Sequence, residues 1–138
     1  MPLVAVAQFA PGTDTAVNLA TITELAERAA ARGAGLVALP EYSSWFSPEM
    51  GEDWVRAAQP VDGEFVSALS GVAERLGIHL VAGFIETADA TRVRNTVVAV
   101  TPAGAVAATS IDNERARARI AGFILTWRIE EEPGRAPW

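Results

Sequence analysis

The sequence predicts an α/β fold with one mixed β-sheet and flanking helices, and three observations carry that prediction. The chain opens with a short apolar run, an amphipathic stretch and a second apolar run, the order of a β-α-β unit. A second amphipathic stretch then leads into a third apolar run. Further on, two strand-like segments flank Thr101-Pro102-Ala103-Gly104, a turn sequence that sends the chain back antiparallel.

Each element has its own signals. Leu3 to Phe9 is an apolar, β-branched run closed by Ala10-Pro11-Gly12, which predicts a buried strand. Thr13 and Asp14 offer N-caps for a helix over 15–32, whose Ile22, Leu25, Ala26 and Ala29 recur on one helical face. Gly33 fits the residue just past its end. Leu36 to Leu39 is the second strand, stopped by Pro40-Glu41. A loop rich in Ser, Pro and aromatics follows, with a short helical piece over 52–58. From the Val61-Asp62-Gly63 turn a second amphipathic helix runs over 63–76, with Phe65, Leu69, Val72 and Leu76 on one stripe and Gly77 ending it. Strands are then expected over 78–85, 93–101 and 105–109.

Composition removes much familiar chemistry. The 138 residues hold no Cys, and all 11 basic residues are Arg. Without Cys there is no disulfide framework, thiolate metal site or thiol nucleophile within the chain. Without Lys there is no Schiff base or P-loop. A single His, His79, excludes a multi-His metal cluster, and its place between Ile78 and Leu80 makes it a packed or edge histidine of a strand. A net charge of −6 argues against a nucleic-acid groove, which needs clustered cations. The longest apolar runs are too short to span a membrane, and no cationic segment precedes Leu3. The expectation is a soluble cytoplasmic protein with no metal, no cofactor, no nucleic-acid partner and no membrane partner.

The segments Val4 to Phe9, Asn18, and Leu36-Val37-Ala38-Leu39-Pro40-Glu41-Tyr42 resemble the start of the nitrilase, or carbon–nitrogen hydrolase, superfamily. Leu76-Gly77-Ile78 through Gly83-Phe84, then Arg94-Asn95-Thr96-Val97 and Thr101 to Gly104, resemble later parts of its N-terminal half. The resemblance covers residues 3–109, and the strand-Pro-Glu element is its most specific part. It implies part of an αββα sandwich and hydrolysis of non-peptide C–N bonds in a small amide or nitrile, without a cofactor. It also implies a Glu-Lys-Cys triad, in which Cys attacks carbon, Glu takes the thiol proton and Lys meets the developing oxyanion. Glu41 matches the Glu. Its position past the carboxyl end of a buried strand is where α/β sheets place their sites. No residue here takes the other two roles, and Arg is not a like-for-like substitute for Lys.

Tyr42, Trp45 and Phe46 are candidate pocket residues, with local packing the competing reading. Ser43 and Ser44 follow Glu41, but adjacent loop serines more often serve turn chemistry than nucleophilic attack. Composition shifts near Thr109: residues 1–108 hold 12 acids and 6 Arg, whereas 109–138 hold 5 of each. Arg115, Arg117 and Arg119 and the run Glu130–Glu132 fit solvated sequence. The expected division is a partial hydrolase domain over 1–109 and a divergent tail over 110–138, with a frameshift near 109 as the leading explanation and a real domain loss or an assembly of split chains as the alternatives. A chain so divided is expected to be inactive alone and to form homo-oligomers or aggregate, because half a sandwich leaves an apolar face uncovered. The alternative function is a non-catalytic module that pairs with itself or with another chain.

Overall fold

The computed structural model describes residues 3–111, 117–120 and 123–126. Strand β1 (Leu3–Val6) leads to helix α1 (Thr15–Ala30) and strand β2 (Ala34–Ala38). Helices α2 (Glu52–Ala57) and α3 (Glu64–Leu76) come next, then β3 (His79–Thr87), β4 (Val93–Val100) and β5 (Val106–Ile111). Five strands form one sheet in the order β1-β2-β3-β4-β5, with the first three parallel and the rest antiparallel. The strands β6 (Arg117–Ile120) and β7 (Phe123–Thr126) pair antiparallel as a separate two-stranded sheet. Both lie in the stretch expected from sequence to be a divergent tail. Arg115 and Glu130–Glu132 lie outside the described residues.

Local chemistry accounts for the element ends. Asp14 caps α1, its carboxylate accepting from the N–H groups of Ala16 and Val17 at 2.9 and 3.2 Å. Gly77 ends α3 in the left-handed region at φ +65°, a conformation that costs a glycine little. The N-terminus of α3 has Gly63 as its cap residue, which carries no side chain to bond. Gln59 substitutes, its Oε1 accepting from Phe65 N–H at 2.8 Å.

The register shows which side of the sheet is the core. Val37 lies opposite Leu80, Ala82 opposite Val98 and Phe84 opposite Thr96, and all six are buried. The five apolar ones share a core with Ile22 and Ala26 of α1 and Phe65 and Leu69 of α3. Alternation along each strand therefore sends Val4, Val6, Leu36, Ala38, Val81 and Val97 to the second face. There Val4 is 57% exposed, Val6 81% and Val97 40%.

The sequence predicts helices beside a mostly buried sheet; in the structure α1 and α3 share one face. Handedness is the reason. The parallel strands advance in one direction across the sheet, and two right-handed crossovers of that kind put both helices on the same side. At one end of the second face, Trp45, Trp54 and Ile85 form a small separate cluster. No helix of the described residues is long and apolar enough to cross a membrane.

Candidate active site

The site starts where β2 runs out. Leu39 N–H still bonds to Val81 C=O at 2.8 Å, so the chain leaves the sheet beside β3. Proline at 40 has no N–H to extend the ladder, but its carbonyl accepts twice, from Gly83 N–H at 3.1 Å and from Ser43 Oγ at 2.6 Å. Ser43 N–H then returns to Gly83 C=O at 2.9 Å. Residues 40–43 thus arch over Gly83, and the backbone of Glu41 rests directly on it. A Cβ at position 83 would stand 1.6 Å from the Glu41 carbonyl oxygen and 2.5 Å from its Cα. Only glycine permits that approach.

Beyond the arch the loop is fastened to the helix layer and to β3. Asn18 of α1 is buried and uses both ends of its amide. Its Oδ1 accepts from Gly12 N–H at 2.9 Å, and its Nδ2 donates to Gly12 C=O at 2.9 Å and to Ser44 C=O at 3.1 Å. Ser44 Oγ accepts from Ile85 N–H at 3.1 Å. Trp45 Nε1 donates to Thr13 C=O at 2.8 Å. Ser43 and Ser44 are both buried and both hydroxyls are engaged in holding the loop, so neither stands as a nucleophile.

Glu41 itself is exposed, on the second face of the sheet. Its Oε1 accepts a hydrogen bond from Nδ2 of Asn95 on β4, 54 positions away in sequence. Among the described residues it forms no ion pair. A charged carboxylate at the surface, with one oxygen held, can accept a proton from a group placed on that face. Of the aromatic candidates, Trp45 is buried and packs edge-on against Trp54 at 5.4 Å. Tyr42 meets Phe46 at 5.8 Å and Trp54 at 5.3 Å, and Phe46 remains 37% exposed. Trp45 therefore serves the foundation of the loop, and Tyr42 and Phe46 form the aromatic surface next to Glu41. His79 lies elsewhere, with Nδ1 3.4 Å from Gly35 C=O.

Asn18, Gly83 and Asn95, which contact the loop or Glu41, were not singled out from sequence as site residues. Gly83 had a readable signal, since an isolated Gly within an apolar strand marks a close backbone approach. Asn95 had a weaker one, a carboxamide in the polar Arg94-Asn95-Thr96 part of a strand that is apolar from Val97 on.

Known proteins resemble this chain in sequence and in fold. The family model for carbon–nitrogen hydrolase matches residues 3–119. A hydrolase of Mycobacterium tuberculosis is 35% identical over 99 residues, covering 72% of this chain and 34% of that protein. An omega-amidase of Xenopus tropicalis is 33% identical over 102 residues, covering 70% of this chain and 34% of the amidase. The chain thus spans about a third of the length of these curated relatives. In fold it is similar to the C. elegans NitFhit protein, with a TM-score of 0.71 at 21% identity, over 89% of this chain and 31% of that one. On the family match and the sequence identity together, the chain belongs to the carbon–nitrogen hydrolase family.

Proposed function

We propose that this chain carries the general-base part of an amidohydrolase site for small amides or nitriles, with Glu41 as the base. The observation that supports this reading most is the seating of Glu41. An arch that needs glycine at 83 sets its backbone, and Asn95 holds one of its two carboxylate oxygens. In this reading Glu41 takes the proton of a thiol, whose sulfur then attacks the amide or nitrile carbon. A cation meets the negative charge that develops on oxygen or nitrogen, and water later releases the acyl group. The 138 residues contain neither Cys nor Lys, so in this reading the thiol and the lysine ammonium belong to other polypeptide and these residues alone turn nothing over. A cytoplasmic setting suits such chemistry, because thiols there stay reduced.

Ammonia release tests the proposal. The purified chain incubated with aliphatic amides and nitriles is expected to release none above buffer. Turnover that disappears in Glu41→Gln would show that the chain is sufficient by itself. The boundary near residue 109 is part of the same proposal. Translating the encoding DNA past codon 109 in the other two frames checks it, and a frame supplying a Lys-containing loop followed by a Cys supports it.

A second reading is favoured by the second face of the sheet, where Val4 and Val6 of β1 and Val97 of β4 are exposed. An apolar surface of that kind suits a module that pairs with a second copy or with another chain. Light scattering separates the two outcomes, because a stable monomer counts against pairing with itself.

A further inference from the structure

We infer that Asn95 is a positioning residue for Glu41, holding its carboxylate in one orientation so that Oε2 is the oxygen left to receive the proton. The inference rests on the reading of Glu41 as a base and adds the residue that aims it.

The sheet register sets up the contact. Asn95 lies opposite Ile85, and its neighbour two positions on, Val97, lies opposite Gly83. Asn95, Val97 and the bare Cα of Gly83 therefore share the second face. Because Gly83 has no side chain, the backbone of Glu41 fits down onto the sheet beside Asn95. A longer side chain at 83 would lift the arch and with it the carboxylate.

The carboxamide is oriented by its partner. An ionised carboxylate only accepts, so Asn95 presents Nδ2 to Glu41 Oε1. That choice sends Oδ1 to the other side, where it is buried and has no donor among the described residues. A buried acceptor without a partner lowers folding stability. A leucine of similar volume would avoid that loss. The carboxamide at 95 therefore contributes something other than stability, and its one hydrogen bond goes to Glu41. No other hydrogen bond or ion pair holds this otherwise mobile, exposed side chain among the described residues.

Three variants of the full chain test the inference. In Asn95→Leu the volume is kept and the donor is lost. The melting temperature is expected to hold or rise, while the Glu41 side-chain couplings in the NMR spectrum change from a single rotamer to an average. A residue with only a packing role would leave those couplings unmoved. Asn95→Asp sets two carboxylates against each other at pH 7 and is expected to lower the melting temperature by roughly 5 °C. Glu41→Gln combined with Asn95→Asp exchanges carboxamide and carboxylate and is expected to recover most of that loss. A single fixed Glu41 rotamer in Asn95→Leu overturns the inference, as does a double variant no more stable than Asn95→Asp alone. Neither result touches the assignment of Glu41 as base, which fails only if an assembled site works without it.

Discussion

At the scale of single residues, the closest backbone approach at any described glycine is at Gly83. A methyl group there overlaps the main chain of Glu41, not a side chain that can swing away, so the arch over 40–43 must move. Gly83→Ala is expected to cost about 3 kcal/mol or more, the upper range for overpacking, and denaturant melts measure it. Asp89 is a milder case. Its Oδ2 accepts from Arg92 Nε at 2.7 Å and its Oδ1 from Thr91 N–H at 2.9 Å, closing the turn between β3 and β4. The Arg92 hydrogen bond, followed by that of Thr91, holds the carboxyl at about 2, below its ordinary 3.8. A depressed acid contributes its stabilisation above its ordinary value and loses it as pH falls through the lowered one. The turn is therefore expected to stay closed at pH 4 and to release towards pH 2. The Thr91 amide shift should titrate near 2, and Asp89→Asn should abolish that step. Exposure of the turn keeps the effect on overall stability small.

At the scale of elements, the loop after β2 has order because α1 supplies it. Asn18→Ala removes three hydrogen bonds at once and takes their Asn18 partner from Gly12 N–H and Ser44 C=O, while Gly12 C=O keeps only the Phe46 N–H. It is expected to cost roughly 2–3 kcal/mol and to loosen residues 40–46, readable as faster amide exchange at Phe46, whose N–H bonds to Gly12 C=O at 3.0 Å. The same elements show what a sequence can display. Asp14, Gly77 and the Phe65–Leu69–Val72 stripe are local signals, and the helices they imply form within a few residues of the expected ends. Glu41 was legible through the strand-Pro-Glu pattern. Asn95 and Asn18 act across 54 and 26 positions, and pairings at that range depend on strand register and helix placement, which no local pattern encodes. The one-sided sheet was also hidden, since apolar alternation marks the strands but not which face the crossovers cover.

At the scale of the whole molecule, two features lie on one face: the seated carboxylate and the exposed valines of the sheet. Under the proposal, both belong to a surface that another polypeptide completes. If copies of this chain cover that face, light scattering finds species heavier than 14.6 kDa. Val6→Glu with Val97→Glu then returns the chain to a monomer without lowering its melting temperature, because neither side chain belongs to the core of buried residues. The central claim is that Glu41 is the base of a carbon–nitrogen hydrolase site whose thiol and cation come from elsewhere. Its most direct test is a chimera in which residues 3–109 replace the matched third of the Xenopus tropicalis omega-amidase, checked for folding by circular dichroism and assayed for ammonia release from that enzyme's omega-amide substrate. A folded chimera is predicted to be active, with Glu41→Gln lowering kcat by about 100-fold or more; a Glu41→Gln chimera that keeps its full rate would contradict the account.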